Sequence, residues 1–418
     1  MRRSIAVPAA MVFTILTACS EGSTPVPLEP DADASQSEGR GFAHRLFVVG
    51  TSISAGTCSD GNVSSCQNMS YVAQLIRMMH GEPVLPLISA PGCRAPFSAP
   101  LISFKRTSGE SVTVPDATVQ CSPNEPGVVL PTQNLAIPGA LTAEALNTRP
   151  EDRTDPYSSQ LYRRFLPEGA TQVSAALSQN PKFVIVELGI NDIRNVLSGI
   201  AIPGATFTPF AVWAGQYSAV LDQIGSATKQ ALLVGLGREI AQLPNLRRGN
   251  ELWADRAAFL AAFNVEVSAT CDGNQNLIVT NLVVPTAVAN GLGRRVAGLP
   301  ASVLSCLEGA VNAQDLILTA AEEAIVDAQL VQMSDHVRSQ AEARGFAFVE
   351  LEVLYGLDKA PYSVVAQMTT GTPYGPNISL DGVHPSAAGQ TIIANAALRA
   401  IDDCYDIGFG GAVGSRHP

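Results

Sequence analysis

Gly50-Thr51-Ser52-Ile53-Ser54-Ala55-Gly56 sets a serine in a turn of small residues directly after an apolar run. A serine presented this way can attack a carbonyl if a neighbouring base takes its proton. Asp381-Gly382-Val383-His384-Pro385 supplies such a base, and an Asp three residues before a His can fix its tautomer and stabilise the imidazolium. The chain has five histidines, and the other four fall in the segments read as a tether, two helices and a tail. Attack on a carbonyl also needs donors for the oxyanion. Gly139, closing Asn134-Leu135-Ala136-Ile137-Pro138-Gly139, offers a backbone N–H, and Asn191, in Glu187-Leu188-Gly189-Ile190-Asn191-Asp192, offers a side-chain amide. With the Ser52 N–H these make three donors. Each fragment alone has an ordinary structural explanation. Ser52 could cap a helix after a strand, Asp381 and His384 could cap another, and Asn191-Asp192 reads equally as a helix N-cap.

The elements that must position these residues follow from the hydrophobic pattern. Residues 46–49, 183–186, 231–235 and 346–351 read as short strands, and 183–186 is too uniformly apolar to have a wet face, as buried parallel strands are. Residues 130–137 read as a further strand. Helical patterns fall between the runs, at 70–79, 210–224, 316–344 and 386–401. Strands alternating with helices predict a three-layer α/β/α sandwich around a mainly parallel five-stranded sheet. The candidate residues then lie at the C-terminal ends of strands, where open α/β sheets place their sites. Residues 94–127 and 244–314 exceed the usual loop length and read as insertions at that edge, within a domain spanning residues 45–404.

Together the four segments resemble the SGNH (GDSL-like) hydrolases. That pattern is a serine after the first strand, a glycine, a GxND asparagine and a terminal DxxH, seen here in order as Ser52, Gly139, Asn191 and Asp381 with His384. The resemblance spans roughly residues 45–402 and covers the two insertions poorly. Thr51 and Ile53 stand where the family usually has Asp and Leu, which touches the turn and not the triad. The resemblance implies a serine esterase or lipase that works through an acyl-Ser52 intermediate. In it Asp381 and His384 complete the triad, Ser52, Gly139 and Asn191 form the oxyanion hole, and no metal or organic cofactor is needed. An α/β-hydrolase elbow is excluded because no G-x-S-x-G occurs. Gly291-Leu292-Gly293-Arg294-Arg295-Val296 lacks the last glycine of a dinucleotide fingerprint and is expected to be an insertion loop. Trp213 and Trp253 read as packing residues.

Residues 1–19 read as a signal segment: Arg2 and Arg3, then an apolar stretch too short to span a bilayer, then Leu16-Thr17-Ala18-Cys19. The last four resemble a bacterial lipobox, which implies lipidation of Cys19. Ser20 after it favours the outer membrane of the cell envelope. Residues 20–44, rich in Pro, Ser and acidic residues, read as a flexible tether, and 405–418 as a flexible tail. An exported chain meets an oxidising compartment, and the sequence neighbours suggest Cys58–Cys66, Cys93–Cys121 and Cys271–Cys306, leaving Cys404 free. A net charge of −11 supplies no basic surface for nucleic acid. The expected partners are therefore an ester substrate and, through the anchor, a membrane. The membrane tether, with apolar stretches at 196–210 and 277–300 that would line an acyl pocket, favours a lipid-directed or broad carboxylesterase. The alternatives are a carbohydrate O-deacetylase of the same fold and a catalytically silent envelope-binding lipoprotein.

Overall fold

The computed structural model describes residues 41–113, 115–309 and 314–408. The signal segment, Cys19 and most of the proposed tether lie outside the described residues. Four parallel strands form the central sheet: β1 (Leu46–Gly50), β2 (Phe183–Glu187), β3 (Ala231–Gly235) and β9 (Ala347–Glu350), in the order β1-β2-β3-β9. Every residue of β1, β2 and β3 is buried, which is why these runs are apolar without alternation. The register sets Gly50 beside Glu187 and Gly235 beside Glu350.

Among the described residues, helices pack on the sheet in two groups. Helices α1 (Tyr71–Met78) and α6 (Ala387–Tyr405) pack together, with α6 against β9. Helices α2 (Gln172–Ser178), α3 (Phe210–Ala227) and α5 (Ala320–Arg344) form the other group, with α2 along β1 and α5 along β3. Among the described residues no helix is long and apolar enough to cross a membrane.

The expected fifth strand is a bonded edge segment instead. Residues 133–137 run parallel to β1, with Val48 N–H donating to the Gln133 carbonyl and the Leu135 and Ile137 N–H groups donating to Val48 and Gly50. Pro131 and Pro138 bracket the segment and remove donors, and the pairing reduces to a bridge at Val48 and Asn134. The domain also reaches further at both ends than the expected 45–404. Phe42 and Ala43 are buried in the core, and the Tyr405 hydroxyl donates to the Ala231 carbonyl 2.8 Å away. The long helix α5 starts at Ala320, four residues late, because Thr319 caps it with Glu322 and Ile317–Leu318 pair as strand β8.

The 244–314 insertion has its own small core. Strands β4 (Leu246–Arg248), β6 (Leu277–Val279) and β8 make an antiparallel sheet, while β5 (Val265–Val267) and β7 (Ser302–Leu304) pair in parallel. The expected loop at 291–296 is the end of a helix, α4 (Thr280–Val296). Gly291 is required there, since a β-carbon would lie 2.4 Å from the Phe263 carbonyl oxygen. Leu101 of the first insertion and Leu380 beside the Asp381 loop join this same core. The three suggested disulfides are present. Cys404, expected to be free, is disulfide-bonded.

Candidate active site

Ser52 opens a single helical turn, Ser52–Ala55, at the end of β1. The turn is held from below by a buried carboxylate. Glu187, the last residue of β2, accepts from the Thr51 N–H at 3.0 Å, the Thr51 hydroxyl at 2.7 Å and the Ser54 N–H at 3.3 Å. Burial pushes the Glu187 pKa up, and those donors oppose the shift. Thr51, the departure from the family's usual Asp, thus becomes the donor to an acid on the neighbouring strand. Gly50 is needed for the close approach, because a β-carbon there would lie 2.9 Å from Ser54 Oγ.

The Asp381–His384 pair is closed by hydrogen bonds on both carboxylate oxygens. Oδ2 lies 2.7 Å from His384 Nδ1 and accepts from the Asp60 N–H at 2.6 Å. Oδ1 accepts from the N–H groups of Val383 and His384, each at 2.9 Å, and from Ser379 Oγ at 3.0 Å. Burial alone would raise the Asp381 pKa. The adjacent His384 and the N–H donors outweigh it and hold the carboxyl at about 2. Burial likewise disfavours the imidazolium of His384, but Asp381 more than compensates and raises its pKa, with help from Asp60 and Glu187. An ionised Asp381 makes Nδ1 the protonated nitrogen and leaves Nε2 as the basic one.

Gly139 and Asn191 sit on segments that are tied together. Asn191 Nδ2 donates to the Ala140 carbonyl at 3.0 Å, which leaves its second N–H. The neighbouring Asp192 accepts from the Thr142 N–H and hydroxyl at 3.0 and 2.7 Å, and from Thr208 Oγ1 at 3.1 Å. Asp192 is therefore a brace between the 139–142 loop and the Asn191 turn, not a helix cap. Trp213, fully buried, completes the brace by donating from Nε1 to Thr142 Oγ1.

Ser52, Gly139, Asn191, Asp381 and His384 all line one cavity of about 470 Å³. No hydrogen bond joins Ser52 to His384 among those in the structure; catalytic contacts of this kind often tighten only once substrate is bound. Of the stretches expected to line an acyl pocket, 196–210 contributes only Leu197, and 277–300 only Asn281 and Leu282. The apolar lining comes instead from Ile190, Ile193, Leu236, Ile240 and Leu243.

Sequence reasoning missed Glu187, Asp192 and Asp60. Glu187 had a readable signal, an acid ending a strand that is otherwise wholly apolar. Asp60 had none, since it acts through its backbone N–H on a residue 321 positions away.

No curated protein matches the chain. Several solved structures are similar over most of its length. LAE5, an alpha/beta hydrolase enzyme from the metagenome of Lake Arreo, Spain, is 12% identical with a TM-score of 0.35, covering 85% of this chain and 94% of that one. Axe2, an acetylxylan esterase from Geobacillus stearothermophilus, is 14% identical with a TM-score of 0.33, covering 85% and 93%. A putative GDSL-like lipase from Parabacteroides merdae is 13% identical with a TM-score of 0.34, covering 85% and 94%. A family model described as GDSL-like Lipase/Acylhydrolase matches residues 46–397, from the first strand through the Asp381–His384 loop, and the chain belongs to that family.

Proposed function

We propose that the protein is a carboxylic ester hydrolase working through an acyl-Ser52 intermediate. The observation that carries this reading is the meeting of Ser52, Gly139, Asn191 and the Asp381–His384 pair, from four distant segments, on one cavity. His384 Nε2 takes the Ser52 proton as Oγ attacks the ester carbonyl. The oxyanion is held by the N–H groups of Ser52 and Gly139 and the free N–H of Asn191. His384 then passes the proton to the leaving alcohol oxygen, and water, activated by the same nitrogen, releases the acid and frees Ser52. Asp381 keeps Nδ1 protonated throughout.

The largely apolar lining supports a substrate with a hydrocarbon acyl chain over a strict acetate ester. Covalent labelling by a fluorophosphonate, lost in Ser52→Ala, tests the nucleophile; an unlabelled wild-type chain would mean a silent binding protein. A chain-length series of p-nitrophenyl esters tests the substrate class, with butyrate to octanoate expected above acetate. Strict acetate preference would instead favour a carbohydrate O-deacetylase. We also propose that the chain is exported and anchored in the cell envelope through lipidated Cys19. Metabolic incorporation of an alkynyl fatty acid that persists in Cys19→Ser would overturn that assignment.

A further inference from the structure

The cavity is lined unevenly. Beside its apolar wall stands a charged one made of Asp60, Arg94, Arg106, Tyr157 and Arg194. Arg94 Nη1 and Arg106 Nη2 both donate to Asp60 Oδ2, at 3.1 and 2.7 Å. Arg106 is almost wholly buried and also donates to the Ala95 carbonyl at 2.7 Å, so part of its role is to fasten the 94–127 insertion to the Asp60 loop. Arg194 has no such explanation. It is exposed, and among the described residues it takes part in no ion pair. Its Nη1 lies 3.2 Å from the position a β-carbon on Gly139 would take, beside the proposed oxyanion donor.

These groups converge. The three guanidiniums and the Asp60 carboxylate all act on the ionisation of the Tyr157 phenol. Burial pushes its pKa up to about 12, the arginines oppose this, and Asp60 adds to it. Arg194 thus adds a guanidinium that no carboxylate among the described residues answers, in a chain whose net charge is −11. Glu239, exposed, also lines the cavity, but among the neighbours of the 236–243 segment; Asp381 is engaged by His384 and the backbone. The cationic wall is joined to the acid–base pair by the Asp60 N–H donating to Asp381 Oδ2 at 2.6 Å. Its Asp60 end therefore stands beside the imidazole that must hand a proton to the departing alcohol.

We propose that this wall, read chiefly by Arg194, is a subsite for an anionic group, carboxylate or phosphate, carried on the alcohol side of the ester. The acyl chain then lies on the apolar wall. A guanidinium engages either anion through paired N–H donors, and such charge-assisted bonds are about twice as strong as neutral ones. The inference rests on the esterase reading above, and its test separates the two.

The full chain is assayed on the butyrate ester of 3-hydroxybenzoate and on that of 3-hydroxybenzamide, which has similar size and no charge. The wild type is expected to prefer the anionic ester by about 10- to 100-fold in kcat/KM at low salt, mainly through KM. The preference should shrink as salt rises, fall by about 10-fold in Arg194→Gln, and return in Arg194→Lys. Equal rates on both esters in the wild type, or an undiminished preference in Arg194→Gln, overturns the subsite while leaving the esterase intact. A preference found only for p-nitrophenyl hemiglutarate over p-nitrophenyl valerate overturns the alcohol-side placement. Hydrolysis of none of the four, with no fluorophosphonate label, removes the esterase reading itself.

Discussion

Replacing Asp381 by Asn tests the acid–base assignment through a single proton. The side chain keeps its shape, but its new NH₂ must stand where one of the two carboxylate oxygens stood. At the Oδ1 position it would face three donors, the Val383 and His384 N–H groups and Ser379 Oγ. At the Oδ2 position it faces the Asp60 N–H and His384 Nδ1. The imidazole and the Ser379 hydroxyl can change role but backbone N–H groups cannot, and Oδ1 has two of these against one at Oδ2, so the second placement is favoured. Nδ1 then becomes an acceptor, and Nε2 carries the proton towards the cavity. A base with its lone pair on the wrong nitrogen cannot receive the Ser52 proton. The same swap in a Ser-His-Asp triad costs about 10⁴ in kcat, equivalent to about 5 kcal/mol of barrier. The assay is kcat on p-nitrophenyl butyrate at neutral pH, with thermal unfolding followed to show that the variant is folded. A folded Asp381→Asn protein keeping more than a tenth of wild-type kcat would refute the reasoning.

The remaining predictions concern the donors, the nucleophile turn and pH. Asn191→Ala is expected to lower kcat by about 10²–10³ with a smaller change in KM; near-normal turnover would remove Asn191 from the oxyanion hole. Thr51→Val deletes the 2.7 Å bond to Glu187 between two fully buried residues and should cost about 1.5–3 kcal/mol in denaturant unfolding. A loss below about 0.5 kcal/mol, on the scale of ordinary surface changes, would show that the turn does not depend on that bond. His384 must be neutral to act as base, and its pKa is raised despite burial because of Asp381. The acid limb of kcat/KM should therefore have its midpoint above the ordinary histidine value of about 6.5, with activity lost as pH falls through it. A midpoint below that value in the wild type would contradict the pairing.

The parts of this site that could be read from the sequence are those whose chemistry is local. Ser52 follows a strand directly, Asp381 and His384 share one loop, and buried strands such as Phe183–Glu187 are apolar throughout because both faces are covered. What could not be read is set by distance along the chain. The Asp60 N–H reaches Asp381, Thr51 leans on Glu187, and Asp192 braces Thr142, none of which has a spacing rule behind it. The edge segment at 133–137 was legible as extended, but Pro131 and Pro138 decide how far it pairs. The cavity lining went wrong for a similar reason. Apolar composition at 277–300 reports burial, and most of that burial serves the insertion's own core and not the site.

That insertion is stitched to the Asp381–His384 loop itself. Asn281 donates to the Asp381 carbonyl at 2.9 Å, and the Asn245 N–H donates to the Gly382 carbonyl at 3.0 Å. Leu380 is rooted in the insertion's core. A shortened chain lacking residues 244–314 would thus forfeit more than a wall of the pocket: the histidine would lose its footing. Accretions of this kind, once the host machinery leans on them, cease to be detachable ornaments, and engineering that seeks a wider entrance should carve side chains and leave the scaffold whole.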